Sequence, residues 1–448
     1  MGGELRLETF MELRLGSPAG QFRAVPVKLG GGAPPAFFAA YAADFDVDPW
    51  VEMFFFPTDT LKLTVFTASG EVLWKRDLGR GVVPGMHFVP ICAFDLDGDG
   101  VDELWFVNNV SAHHPLSLRS YRLERLDART GRTLGQWPWP DLGGEQSLSH
   151  SFRNFIRGGW ARGEPVLVTA QGTYGPMFLQ GWRPDMTPRW EVRIARETPG
   201  ARGSHMAQVA DLNRDGVDEL LWGERVIELD GGRQLFCMDE KVYRGHSDVV
   251  EPVLDEASGR WFVYTCRESD NRVSPRVALF DDRGQRVWGR VERGHMDMGW
   301  VARLGDSGKT AMAARIDAKT CGPDGRHHQG VECFTWDVFT GEERPVPFDP
   351  YRTIPVDLNG DGRHELVRGV PGGDGAVHDR RGRLCGKVEG TVALARKLLE
   401  RPGEQVLVYL PDGTVRVVGD AAAEDGAAAR ARYANPYYRG NAWAVGGV

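Results

Sequence analysis

Phe94-Asp-Leu-Asp-Gly-Asp-Gly-Val-Asp-Glu-Leu-Trp-Phe-Val107 reads as strand, acidic loop, strand. Asp95, Asp97 and Asp99 alternate, Gly98 and Gly100 allow a tight turn, and Asp102 and Glu103 lead into an apolar run. Hard cations such as calcium take about six to eight oxygen ligands, and alternating carboxylates on a short glycine-bearing loop supply them. The pattern returns as Asp211-Leu-Asn213-Arg-Asp215-Gly-Val-Asp218-Glu219 and as Asp357-Leu-Asn359-Gly-Asp361-Gly-Arg-His364-Glu365. Apolar, strand-like runs flank each of the three copies, so the chain reads as a repeat protein. Residues of β type surround the loops, which separates them from the helix-flanked EF-hand.

Working outward, hairpin signals recur along the length: a β run, a turn with Gly or Pro-Asp, and a second run often holding Trp. They fall at 63–74, 121–131 with Trp137 beyond, 179–190, 225–236, 276–288, 331–341, 376–385 and 406–418. Most are preceded by two further strand-like runs. Four-stranded units of about 30 to 60 residues are propeller blades. The expectation is therefore an all-β fold, one β-propeller over 1–448 with eight four-stranded antiparallel blades, seven being the alternative. The blades would run roughly 5–80, 88–140, 155–195, 206–240, 249–292, 300–348, 353–388 and 391–419. A strand from residues 5–44 would close the ring against the C-terminal region. Residues 420–448 would be a tail or part of that closure, the Ala-rich stretch in it a short helix or tail. Tandem β-sandwiches would need linkers, and no Pro/Ser-rich linker interrupts the pattern.

Composition agrees: 57 Gly and 14 Trp among 448 residues suit an all-β repeat fold with many tight turns. The net charge of −8 argues against a nucleic-acid partner. No apolar run of membrane-spanning length occurs, so no membrane partner is expected. The N-terminal residues lack a basic region followed by an apolar core, and the six cysteines form no CxxC pair. A cytoplasmic location is expected, or a secreted one if a signal has been removed. The oligomeric state is left open.

In a propeller the first-to-second-strand loops share one face, which here carries the Asp-rich loops. The calcium ligands expected there are Asp95, Asp97, Asp99 and Glu103, then Asp211, Asn213, Asp215 and Glu219, then Asp357, Asn359, Asp361 and Glu365. Calcium, or Asx turns alone, would hold the blades together there; a catalytic role is the lesser reading. Nine of the eleven histidines map to the opposite face; His364, in an Asp loop, and His378, in a hairpin, are the exceptions. Loops on one face of a rigid scaffold commonly carry function.

Two groups stand out on the histidine face. His205, His246 and His295 with Cys266 offer three imidazoles and a thiolate, a set that would suit zinc, against the plainer reading of hydrogen-bonded loop histidines. Asp248 and Asp297, each two residues after a histidine, would be outer carboxylates or substrate contacts. The second group is His114, His150, Tyr174 and Arg153. A base, an acid and a cation suit proton abstraction beside a carboxylate, followed by expulsion of the oxygen β to it. For Tyr174 alone, a turn aromatic packed on its blade is the plainer account. His113, Arg267 and Arg315 are the remaining expected substrate contacts.

The Asp loops resemble the calcium-loop repeats of integrin-like β-propellers. An eight-bladed propeller with Asp-Gly-Asp-Gly-x-Asp-Glu loops also resembles the rhamnogalacturonan lyases of polysaccharide lyase family 11, through those loops and Arg244-Gly-His-Ser-Asp248. The His/Tyr/Arg set is similar to that of the propeller ulvan lyases, whose catalytic residues would fall on His114, His150, Tyr174 and Arg153. The resemblance implies a lyase that cleaves an acidic, uronate-containing oligo- or polysaccharide by β-elimination, with structural calcium and a zinc site. Those families are mostly secreted; a cytoplasmic enzyme would act on imported oligosaccharides. Two other functions compete: a non-catalytic propeller that binds glycan or protein, and a glycoside hydrolase. The hydrolase requires two carboxylates about 5 to 10 Å apart, for which Glu224, Asp248 and Asp297 are the expected residues.

Overall fold

The computed structural model describes residues 4–141, 147–305 and 308–441. The first complete sheet pairs Gln21–Val27, Ala36–Ala42, Lys62–Thr67 and Val72–Asp77 in sequence order. Six further sheets follow, spanning 91–138, 154–194, 209–237, 247–290, 295–337 and 354–387. The eighth sheet, 391–420, takes Leu7–Arg14 as its outer strand, in antiparallel register from Leu7 opposite Asp420 to Arg14 opposite Thr414. The protein is thus an eight-bladed, all-β propeller whose ring is closed by its first strand. That strand opens the expected first blade, 5–80, but completes the last one. Blade 6 has three full strands, with a single bridge from Trp336 to Glu343 where the fourth would run.

Blade-to-blade contacts explain the tryptophans at the ends of the hairpins. Trp74, Trp190 and Trp288 each donate an indole N–H to a carbonyl of the next blade, at Ala128 (2.9 Å), Leu229 (2.7 Å) and Val338 (2.8 Å). Their rings lie on Gly131, Gly232 and Gly341, which sit in the left-handed region at φ of 69°, 71° and 67°. Glycine adopts that backbone without strain, and the absent Cβ makes room for the indole.

The Asp loops also join blades. Asp102 and Asp218 accept from backbone N–H groups of the preceding blade, Lys28 (2.7 Å) and Trp160 (2.8 Å). In the third copy His364 replaces the aspartate and accepts through Nδ1 from Arg303 N at 3.0 Å. That is why this histidine lies away from the others: it is a blade-to-blade acceptor.

Two additions shape the ring. The C-terminal segment forms helices Ala427–Ala434 and Pro436–Gly440. Asn441 then bonds both the N–H (2.9 Å) and the C=O (2.7 Å) of Val209 in blade 4, while Arg396 of blade 8 donates to Asn441 O at 3.0 Å. Blades 4 and 8 are opposite in an eightfold ring, so this segment crosses the axis on the Asp-loop side. On the histidine side, a hairpin of Ala318–Gly322 and Gly325–Gln329 projects from blade 6. Its tip accepts a hydrogen bond at Pro323 O from Phe45 N of blade 1 at 3.2 Å.

Candidate active site

Three loops are laid side by side by backbone hydrogen bonds. Tyr174 N donates to Arg202 O (3.1 Å), Arg202 N to Gly245 O (2.7 Å), and His205 N to Ser247 O (3.2 Å). Tyr174 follows the strand Glu164–Gln171 and stands in the left-handed region at φ of 72°. For a bulky residue that conformation costs roughly 1–3 kcal/mol and persists only where the surroundings impose it. Here it points the phenol inward. The hydroxyl lies 3.0 Å from Nε2 of His205, the ring meets His246 edge-on at 4.1 Å between centroids, and the Arg153 guanidinium lies 5.2 Å from the ring centroid.

The imidazoles of His205 and His246 stack at 5.0 Å, with 15° between their planes, and both present Nε2 to Glu268. For His205 the separation is 3.2 Å, and His246 makes a short hydrogen bond to the same oxygen. The other Glu268 oxygen faces His295 Nε2 at 2.8 Å and Lys319 Nζ at 2.7 Å. Lys319 also reaches Asp297 at 2.7 Å, and His328 Nε2 lies 3.2 Å from that carboxylate. Asp248 stands behind His205, 3.4 Å from Nδ1. Arg153, fully buried, is held by Asp48 at 2.7 Å, and Arg326 reaches Asp48 at 3.5 Å.

Burial alone would raise the Glu268 carboxyl, but His205, His246 and His295 hold it well below the usual range, so it is ionised. Burial depresses His205 and His246 against the opposing pull of Glu268, the nearby Arg153 adding to the effect, so the imidazoles favour the neutral form. Burial carries the Tyr174 phenol well above 10, so it keeps its proton. The site therefore holds a protonated phenol against an imidazole able to accept a proton, with Arg153 and Lys319 as fixed cations.

Among the described residues, His205, His246 and Glu268 form one group with metal-ligand spacing, and Glu268, His295 and Asp297 form a second. The second is bridged by the Lys319 ammonium. The first fits a divalent cation: two Nε2 atoms and a carboxylate oxygen converge, and Asp248 backs one imidazole as an outer carboxylate does in metal sites.

Tyr174, Arg153, His205, His246, His295, Asp248 and Asp297 are thus gathered into one site. Cys266 is not in it: its thiol is buried, pushed above the normal range by burial, and faces Tyr264 Oη at 3.5 Å. Glu268, two residues on and past the strand end, supplies the oxygen where a thiolate was expected. His150 is buried against Gly175, and His113 and His114 are exposed on their own loop. Arg267 is fully buried and spans Glu224 and Asp239 at 2.7 and 2.8 Å, which makes both Arg267 and Glu224 structural. Arg315 pairs with Glu332. Glu268, Lys319, Arg326 and Asp48 were not foreseen as site residues. Only Glu268 carried a signal, as a charge just past the strand that holds Cys266.

The three Asp loops differ. Asp95, Asp97 and Asp99 lie close enough to share a cation, and Asp95 accepts from the N–H groups of Gly98, Asp99 and Gly100 at 2.8, 3.1 and 2.9 Å. In the second, Asp211 accepts from Asp215 N and Gly216 N, both at 3.1 Å, and Asn213 Nδ2 donates to Glu219 at 3.1 Å. In the third, Arg432 of the C-terminal helix sets its guanidinium 2.7 Å from Asp357, Asn359 donates to Glu365 at 2.9 Å, and Asp361 accepts from Arg363 N. Glu103, Glu219 and Glu365 each accept from the backbone of Leu96, Leu212 and Leu358 at 2.9, 2.8 and 3.0 Å.

The fold and site define a class: an eight-bladed propeller with a half-buried Tyr-His-Glu centre on the face opposite its Asp loops. In sequence and in fold the chain is similar to rhamnogalacturonan lyases. It is 24% identical over 293 residues to the rhamnogalacturonan exolyase YesX of Bacillus subtilis, a match covering 58% of this chain and 47% of that protein. It is 24% identical over 206 residues to the rhamnogalacturonan endolyase YesW of the same organism, covering 39% and 33%. The chain thus spans about half the length, or less, of the curated relatives it matches. The solved structure of the exotype lyase YesX superposes with a TM-score of 0.72 at 18% identity, covering 92% of this chain and 76% of that one. The Bacillus licheniformis rhamnogalacturonan lyase PL11 gives 0.70 at 18%, covering 94% and 76%. No family model matches.

Proposed function

We propose that the protein is a polysaccharide lyase that cleaves an acidic, rhamnogalacturonan-like glycan by β-elimination. The observation that carries this reading is the half-buried Tyr174 phenol 3.0 Å from His205 Nε2, in a site that holds its own cations. The likeness to rhamnogalacturonan lyases supports the substrate class.

Elimination begins at the carbon bearing the uronate carboxylate. A cation beside that carboxylate makes the neighbouring C–H acidic enough to lose. Lys319 is the fixed positive charge with an exposed edge, and Arg153 adds its charge from behind the Tyr174 ring. Neutral His205 takes the proton, the electrons of the broken C–H bond form the C=C bond, and the C–O bond to the leaving sugar breaks. Tyr174 donates its proton to the departing oxygen, and no water is consumed.

His205, His246 and Glu268 would hold zinc or another divalent cation, which would supply positive charge for the substrate carboxylate. With the cation held, His205 Nε2 would be a ligand fixed in orientation by Asp248 and not the base, and Tyr174 would be the group left to move the proton.

The test is to offer the protein rhamnogalacturonan and its oligosaccharides while following the ultraviolet absorbance of an unsaturated uronate, with bound metal measured before and after chelation. Absorbance rising with new chain ends supports elimination. New reducing ends without that absorbance would replace it with hydrolysis, and neither signal would leave a glycan-binding propeller.

A further inference from the structure

Three arginines beside the site lack an anionic partner. Arg202 lies between Tyr174 and Gly245 in the row of backbone hydrogen bonds that aligns the three loops, and Arg244 directly precedes Gly245 in the chain. Arg196 belongs to the same turn region, between blades 3 and 4. Among the described residues, no ion pair or side-chain hydrogen bond engages any of these three guanidinium groups, whereas the buried Arg267 nearby has two carboxylates. Arg196 and Arg244 are exposed and Arg202 is half-buried.

The three act on one another. Arg202 is depressed by burial and then by Arg196, Arg225 and Arg244, with Glu197 opposing, so they share one positive field. Arg196 and Arg202 are also the charges felt by His150, whose ring packs on Gly175 next to Tyr174. The patch therefore lies along the loops that carry Tyr174 and His205, in a chain of net charge −8.

We propose that Arg196, Arg202 and Arg244 form an anion subsite that holds the carboxylate of a neighbouring acidic sugar while the residue to be cleaved sits at Tyr174. Guanidinium groups bind carboxylates through paired N–H donors, and clustered ones raise the local concentration of an anionic chain. The proposal rests on the reading of the site as one for an acidic polysaccharide, and it places the substrate's path over blades 3 to 5.

The test uses the full chain, the exposed double variant R196A/R244A, and R202Q, with unchanged melting confirming the fold. Substrates are rhamnogalacturonan oligosaccharides with one and with several uronates. For the longer ones KM should rise roughly tenfold in the double variant, the loss expected for charge-assisted hydrogen bonds, with kcat little changed. The single-uronate substrate should show no such rise. Equal KM for wild type and variant on long substrates, or an equal loss on both lengths, would overturn the subsite. Calorimetric titration with polygalacturonate keeps the two ideas separable if no cleavage is seen. Weaker, less salt-dependent binding by the variant would support the anion subsite even if elimination failed, and unchanged binding would remove it even if elimination held.

Discussion

The hydroxyl of Tyr174 lies 3.0 Å from Nε2 of His205, although 31 residues and a blade boundary separate them. The contact exists because Tyr174 occupies the left-handed region and its N–H is tied to Arg202 O, three residues before His205. A β-region tyrosine there would send the ring elsewhere.

Tyr174→Phe isolates the hydroxyl. The ring contacts with His246 and Arg153 survive, so the fold should be unaffected. Elimination on rhamnogalacturonan oligosaccharides should fall by about 10²–10⁴-fold in kcat, the usual span for a proton-transfer group, with KM little changed. A variant that kept wild-type kcat would remove Tyr174 from the chemistry.

Glu251 gives a pH dependence away from the site. It is buried between blades 5 and 6, accepts from Val301 N at 3.1 Å, and burial raises it to about 8 despite that bond and Lys309. Its unfolded value is near the ordinary 4.5, so the folded state holds the extra proton between about 4.5 and 8. Stability owed to this group is therefore present at low pH and is lost as pH rises through that window. Glu251→Gln keeps an acceptor for Val301 and removes the titration. Its melting temperature relative to wild type should climb from pH 5 to about pH 8, across that window. A difference independent of pH would show that Glu251 is already ionised in the fold.

The repeat pattern made the propeller legible, because a strand-loop-strand unit with glycine and tryptophan at fixed places dictates both turn and packing. Trp74, Trp190 and Trp288 were visible as recurring hairpin ends; that each reaches the next blade's glycine is tertiary. His205, His246 and His295 were legible as one face since loop position follows from blade order. Glu268 was not, because whether the strand ends at Cys266 or Arg267 decides which side chain reaches the site. Lys319 and Arg326 arrive on an inserted hairpin, which breaks the four-strand period and carries no pattern of its own. His114 was misplaced for the opposite reason: its loop is on the expected face but stays at the surface.

Gly232→Ala tests the blade-to-blade tryptophan contact. A Cβ there would stand 2.7 Å from the Trp190 ring, on a backbone at φ of 71°. Left-handed strain and displacement of the indole should together cost about 2–4 kcal/mol in urea unfolding. Gly163→Ala, also at positive φ but with open space around its Cβ, measures the strain alone and should cost less. Equal losses would mean that the indole gives way freely.

Arg432 makes the third Asp loop different from the first. Its guanidinium lies 2.7 Å from Asp357 and 3.3 Å from Glu404, both buried, so the C-terminal helix brings a positive charge to this loop. Burial raises Asp357 to about 6 even with Arg432 beside it. Arg432→Ala leaves that carboxylate buried and unpaired, which should cost about 3–5 kcal/mol of stability, and should loosen the segment that ends at Asn441 on blade 4. Calcium then has an opening: millimolar calcium should restore part of the loss in the variant while moving the wild type less. The Asp95-Asp97-Asp99 loop contributes equally to both proteins, so the difference between their calcium responses reports on the third loop. Equal calcium responses in the two proteins would show that Asp357, Asn359, Asp361 and Glu365 do not take the ion even when the arginine is gone.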